Sequence, residues 1–231
     1  MPPPAALSML SSMATREVLK ALADAYAAAG GDPVDARAAG GVDVARRVRA
    51  GEAADVIVLA SNVIDELIAE GHLAGPRVDL VRSGVGIAVP SGRPRPPVAT
   101  EADVRAAVLG AGTVSFSTGP SGTYLQKLFD RWGILPTVKE RIVVPPPGVP
   151  VGSFVAEGKA DLGFQQLSEL LNVPGIDVLG PLPEAIQTMT VFSAAVTRGS
   201  ANEAGARALL ASLSAPAAAD VKRRYGMEPV A

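Results

Sequence analysis

From Ala6 onward the chain alternates short apolar runs with stretches in which apolar residues recur every three or four positions. Ala6 to Leu10 reads as a strand ending in Ser11-Ser12. Val18, Leu19, Leu22 and Tyr26 then fall on one helical face, and Gly30-Gly31 stops that helix. Residues 34–39 read as a second strand, closed by Gly40-Gly41, and Val44 and Val48 sit one turn apart on a short helix ending at Gly51. Val56 to Ala60 is a continuous apolar run of the kind buried in parallel sheets. Val63, Ile64, Leu67 and Ile68 mark a further helix before Gly71. This order predicts a parallel sheet covered by helices on both faces.

The rhythm then changes. Val78 to Pro90 is long for one strand and contains Gly84 and Gly86, so it is expected to leave one sheet and enter another. A proline-rich loop, Arg93 to Val98, leads to a helix over about 101–109. A strand over Val114–Ser117 and a helix carrying Tyr124, Leu125, Leu128, Phe129 and Trp132 follow. Pro145-Pro146-Pro147-Gly148 reads as a rigid loop before a short helix. Strands are expected at 161–165, 176–179 and 188–196, and helices at about 201–213 and 216–225. Two segments share a layout: Arg47 to Val56 and Phe154 to Leu162 each run from helix end through a glycine and an Ala-Asp step into a buried strand. That layout fits either a common helix-to-strand loop used twice or two equivalent α/β lobes.

Composition narrows the function. The chain has 231 residues, 48% of them apolar, which is enough for one large domain or two lobes. A net charge of −2 argues against a nucleic-acid partner, and the one dense basic spot, Arg46, Arg47 and Arg49, reads as a solvated helix face. Without cysteine there is no disulfide framework, thiol catalysis or cysteine-bound zinc. The lone His72, after Gly71, reads as a surface-turn residue and leaves no multi-histidine metal site. No run approaches the roughly 20 apolar residues of a membrane span. The first residues lack the basic segment and long apolar core of a signal peptide, so either a cytoplasmic protein or a removed leader is expected.

In open parallel sheets ligands bind beyond the carboxyl ends of strands, where unpaired helix N–H groups favour an anion. Three strand-to-helix turns are rich in small and hydroxylic residues: Ser11-Ser12-Met13, Gly40-Gly41-Val42-Asp43 and Ser117-Thr118-Gly119-Pro120-Ser121-Gly122. Glycines let backbone amides approach a ligand, while Ser and Thr offer neutral donors or simple helix caps. Neither a dinucleotide glycine fingerprint nor a phosphate-loop Gly-Lys-Ser/Thr motif is present.

Ser11-Ser12 with the following helix, the stretch GGVDVARRVRAGEAADVIVLAS ending at Ser61, and FVAEGKADLGFQQLSEL resemble, in order and spacing, periplasmic binding proteins of the molybdate type. The resemblance covers nearly the whole chain. It implies an α/β, two-lobed type II periplasmic-binding-protein fold, each lobe a mostly parallel sheet flanked by helices. Residues 1–82 with 194–231 would form one lobe and 83–193 the other. It further implies a monomeric, cofactor-free receptor that closes over a small anion in the interlobe cleft and serves the membrane subunits of an ABC-type importer in the periplasm. Taken with the expected carboxyl ends of the strands and the turns that follow them, the candidate ligand set is Ser11, Ser12, Met13, Arg16, Gly41, Val42, Ser61, Ser117, Thr118, Ser121, Gly122, Gln165 and Gln166.

The chain departs from that family at two places. Gly41-Val42-Asp43 stands where a serine pair is usual, and Gln165-Gln166 replaces a valine-tyrosine pattern. An acidic Asp43 repels a tetrahedral dianion, whereas two glutamines and an arginine suit a carboxylate with further polar groups. Bacterial aconitate isomerases resemble the same receptors. Their chemistry needs one base and anion clamps, roles that Asp43 as base and Arg16, Arg46 and the serine-rich turns as clamps would fill.

Overall fold

The computed structural model describes residues 6–146 and 148–230; Pro147, within the expected rigid loop, lies outside them. The chain begins with β1 (Leu7–Ser12), α1 (Arg16–Ala28), β2 (Val34–Ala39), α2 (Gly41–Arg49), β3 (Val56–Ala60) and α3 (Ser61–Ala69). The long β4 (Leu73–Pro90) leads to α4 (Glu101–Gly110), β5 (Val114–Phe116), α5 (Pro120–Arg131), α6 (Leu135–Val138) and β6 (Ile142–Val143). Next come α7 (Val151–Ala156), β7 (Leu162–Gln166), α8 (Leu167–Leu170), β8 (Ile176–Pro181) and β9 (Met189–Thr197). The chain closes with α9 (Glu203–Ser214), α10 (Ala219–Arg224) and β10 (Glu228–Pro229). It divides into two compact units, Met1–Arg82 with Val191–Ala231, and Ser83–Thr190. Strands β4 and β9 contribute residues to both.

In the first unit the strands run β2-β1-β3-β9-β4. β1 pairs parallel with β2 and β3, and β9 returns antiparallel against β3. The two-residue period of the strands sorts their side chains onto opposite faces. Leu7, Met9, Val56 and Val58 pack with Val18, Leu19, Leu22, Leu209 and Leu213 of α1 and α9. Leu10, Ile57 and Leu59 pack on the other face with Val44, Val48, Ile64 and Leu67 of α2 and α3. β3 is therefore apolar at every position because both of its faces are covered.

In the second unit β5 pairs parallel with β6 and β7, while β7 and β8 lie antiparallel on β4. Val85, Ile87, Val114, Phe116, Leu162 and Phe164 meet Val104, Val108, Leu125, Leu128 and Phe129 of α4 and α5. Phe129 is the hub: Phe116 and Phe164 meet it edge-on, with ring centroids 6.0 and 6.2 Å away, and Trp132 stacks on it at 5.8 Å. On the opposite face Gly163 lies so close to α7 that a Cβ there would stand 2.4 Å from a Val155 methyl.

The structure decides between the two readings of the repeated segment. Gly51 and Gly158 both take left-handed φ, 82° and 71°, which suits a residue without Cβ. Each ends its helix with the same bonds: Gly51 N–H to Val48 O and Glu52 N–H to Arg47 O, Gly158 N–H to Val155 O and Lys159 N–H to Phe154 O. The likeness reaches well beyond the loop. Ser8 donates its N–H and hydroxyl to Asp55 Oδ2, both at 2.8 Å, and accepts from Asp55 N–H at 3.0 Å. Thr113 makes the same three bonds to Asp161, at 2.9, 3.1 and 3.0 Å. The strand registers correspond as well, Met9 opposite Val56 and Val114 opposite Leu162. One β-α-β design is used twice, with Ser12 equivalent to Ser117.

Some elements differ from the pattern in the sequence. β4 starts at Leu73 rather than Val78, because Gly75-Pro76 interrupts the apolar run without ending the extended backbone. The short elements α6, β6, α8 and β10 carry too few residues to show a period.

Candidate anion site at the strand carboxyl ends

In the first unit the ends of β1, β2 and β3 lie side by side, with Ser12 in register with Ala39 and Ser11 with both Ala38 and Val58. Each of these ends turns directly into a helical segment, so Ser12, Gly41 and Ser61 share one edge. A Cβ placed on Gly41 would stand 3.8 Å from Ser12 Cβ, which shows how closely the second turn approaches the first. Ser11 and Ser12 are buried, at 3% and 7% exposure. Among the described residues Ser11 Oγ finds only Ser12 O and Arg37 O, at 3.4 and 3.5 Å, and Ser12 Oγ lies 3.5 Å from Thr15 Oγ1. Good hydroxyl bonds are about 2.7 Å, so these two buried hydroxyls keep most of their capacity for something else. Thr15, fully buried, donates to Ser12 O at 3.1 Å and fixes the turn.

In the second unit Phe116 is in register with Phe164, which brings Ser117 and Gln165 to one edge. Ser117 Oγ accepts from Gly119 N–H at 3.3 Å, holding the turn into α5. Gly122 in that first turn presses onto the strand end, where a Cβ would lie 1.6 Å from Ser117 O. No other residue fits there. Ser121 is buried beside it, while Thr118 is exposed.

The helix starts separate binding from capping. Among helices of nine residues or more, α1, α2, α3 and α5 start at these edges, and none has a side-chain cap. The other two, α4 and α9, begin elsewhere and are capped, α4 by a Thr100–Asp103 capping box and α9 by Asn202 onto Gly205 N–H. The hydroxyls at the edges thus leave the helices' first N–H groups unsatisfied by side chains, where dipole and donors favour an anion.

The remaining candidates fare unevenly. Arg16, in the first turn of α1, is half exposed with its Nε on Glu17 at 2.7 Å. Met13 lies in the turn before α1, Ser61 opens α3, and Val42 is 68% exposed at the start of α2. Asp43 is ion-paired with Arg46 and, at 3.7 Å, with Arg47. The Arg46 hydrogen bond, outweighing partial burial, holds the Asp43 carboxyl below its ordinary range. A base needs the opposite shift, so this arrangement weighs against Asp43 as a proton acceptor. Arg46, read as an anion clamp, is spent on the same pair.

Gln165 and Gln166, adjacent in β7, point to opposite sides. With its oxygen accepting from Thr190 Oγ1 at 2.9 Å, Gln166 donates to Ser83 O and Gly84 O at 3.0 and 3.2 Å. Its side chain is saturated within the fold. Gln165 accepts from Gly152 N–H at 3.3 Å and donates to Glu169 Oε2 at 2.5 Å. Thr15, Gly152 and Glu169 were not among the sequence-derived candidates. Pro150 just before α7 was a usable signal for Gly152, since proline commonly precedes a helix start. Among the described residues no cluster of His, Asp and Glu could hold a metal, and no helix is long and apolar enough to cross a membrane.

Two copies of one β-α-β design, joined by two long strands and carrying uncapped helix starts at their strand ends, define a protein of the type II periplasmic binding class. The model of the bacterial extracellular solute-binding proteins matches residues 7–228, and the chain belongs to that family. It is 36% identical to an aconitate isomerase from Pseudomonas sp. over 99% of this chain and 89% of that one. The fold is similar to the periplasmic molybdate-binding protein of Azotobacter vinelandii, with a TM-score of 0.81, 20% identity, and 97% and 100% of the two chains covered. It is also similar to the sulfate-binding protein SubI of Mycobacterium tuberculosis, with a TM-score of 0.77, 16% identity, and 98% and 88% covered.

Proposed function

We propose that the protein is a periplasmic solute-binding protein for a small organic carboxylate, delivering it to the membrane subunits of an ABC-type importer. The observation that carries this reading is the set of uncapped helix starts beside the weakly bonded hydroxyls of Ser11 and Ser12. Backbone amides and hydroxyls hold a carboxylate by charge-assisted hydrogen bonds without bringing a counter-charge. Ser12, Gly41 and Ser61 are the anion donors assigned to the first unit, and Ser117, Ser121, Gly122 and Gln165 those assigned to the second. Thermal-shift screening against sulfate, molybdate, citrate and aconitate tests it, since a ligand that binds only the folded state stabilises it by mass action. A carboxylate is expected to raise the melting temperature, and no shift with any anion would contradict the reading.

A second reading is favoured by the 36% identity to an aconitate isomerase: cofactor-free proton transfer along an allylic tricarboxylate. Binding would use the same donors, and Asp43 would act as the base only on giving up its ion pair with Arg46, which holds its carboxyl low. Proton NMR of cis- and trans-aconitate in deuterated buffer distinguishes the two. Interconversion with deuterium uptake establishes the enzyme, and unchanged spectra leave the receptor.

A further inference from the structure

We infer that Gly41 sets the selectivity of the first unit's donors: the side chain it lacks leaves room beside Ser12 for the carbon skeleton of an organic acid, room that a tetrahedral oxyanion does not use. The inference rests on the proposed function and names the residue that selects the ligand class there. Glycine weakens a helix relative to residues with a side chain, so its place as the first residue of α2 calls for a reason. Neither ordinary reason applies. Its φ lies outside the left-handed region, and a Cβ there would make only ordinary contacts, 3.7 Å to a Leu59 methyl and 3.8 Å to Ser12 Cβ. Gly122, in the first turn of α5, is the opposite case, because a Cβ there would lie 1.6 Å from Ser117 O. The fold requires glycine at 122 and tolerates a side chain at 41.

What Gly41 leaves is space, bordered by groups suited to an anion with a carbon skeleton. The first N–H groups of α2 carry no side-chain cap, and its first helical bond is Val44 N–H to Gly40 O at 2.9 Å. Ser12 is 7% exposed, and its Oγ lies 3.5 Å from Thr15 Oγ1, too far for a good hydroxyl bond. An anion bonded to both the α2 amides and the Ser12 hydroxyl stands about 3 Å from each, against the bare α-carbon of Gly41. The Leu59 methyl borders the same space. It is an apolar wall that ligand carbons cover with a gain and that the oxygens of sulfate or molybdate do not. Asp43 in this turn is ion-paired with Arg46 and Arg47, so its charge is compensated.

The test is isothermal titration of the wild type, G41A and G41S with sulfate, molybdate, citrate and trans-aconitate, with each protein also melted without ligand. The wild type is expected to bind at least one of the two carboxylates more tightly than either oxyanion. G41A should weaken that carboxylate by at least about tenfold, the cost of forcing a methyl into occupied space, and leave the oxyanions unchanged. G41S, which adds a hydroxyl beside Ser12, should lose the carboxylate likewise and bind an oxyanion about tenfold more tightly, the worth of a hydrogen bond to a charged group. Both variants should melt at or above the wild-type temperature, since no neighbour has to move and the helix gains a better former. Unchanged carboxylate affinity in G41A would overturn the inference, as would an equal loss for every anion. A lower melting temperature in both variants would also overturn it, by making Gly41 a structural residue. A wild type that binds none of the four, or only the oxyanions, would contradict the proposed function itself, and the inference with it.

Discussion

Ser12→Ala separates a binding hydroxyl from a structural one. Among the described residues the Ser12 hydroxyl caps no helix and has no partner closer than 3.5 Å, so its removal should leave the melting temperature nearly unchanged. Ligand affinity should drop by about 1–2 kcal/mol, the worth of a hydrogen bond to a charged group. Calorimetric titration beside a thermal melt checks both, and a large loss of stability with unchanged affinity would refute the assignment. Lys222 on α10 works in the other direction. Its residue is 1% exposed, and burial alone pushes its amine below the ordinary lysine range. Among the described residues no carboxylate lies within ion-pairing distance of it. Lys222→Met should therefore raise the melting temperature by a few degrees, because desolvating a charged amine costs stability. At this scale the serine- and glycine-rich turns were legible from composition alone. The saturation of Gln166 and the pairing of Gln165 with Glu169 were not, because they depend on which way each side chain of β7 faces and what the neighbouring elements bring.

The twin clasps between strand starts organise the elements. Ser8→Ala and Thr113→Val each delete a hydroxyl that both donates to an aspartate and accepts from its N–H. Each should destabilise by about 1–2 kcal/mol. The Ser8 change should cost more, because Asp55 is half-buried while Asp161 is exposed. Chemical denaturation measures this, and no loss in either variant would show the clasps to be incidental. Burial would raise the Asp55 carboxyl, but hydrogen bonds from Ser200 and Ser8 outweigh it and hold the group below its ordinary value. Its stabilisation is thus fully present above an unfolded pKa of about 3.9 and is lost as pH falls through the lower folded value. Ser200→Ala, which removes a 2.6 Å bond to Asp55, should shrink that acid-side loss. Melts between pH 2 and 7 would show it, and an unchanged acid limb would contradict it. Most elements could be read from the sequence because apolar period and glycine stops agree. The start of β4 could not, since Gly75-Pro76 reads locally as a break and only sheet pairing keeps the backbone extended.

For the whole molecule, the alternation of strand and helix and the repeated loop carried the architecture. What binds there was less legible, because a helix start without a cap looks in sequence like one with a cap. Serine serves both ends. A ligand at about 100 times its dissociation constant should stabilise the fold by about 2.7 kcal/mol. For a chain of this size that raises the melting temperature by roughly 5–10 °C. The most direct measurement is the backbone amide spectrum of isotope-labelled protein during titration with trans-aconitate. If uncapped helix starts hold the anion, the largest shifts fall on the first-turn amides of α1, α2, α3 and α5, and those of the capped α4 and α9 stay put. Shifts concentrated at α4 and α9, or spread with no preference for these turns, would contradict the account.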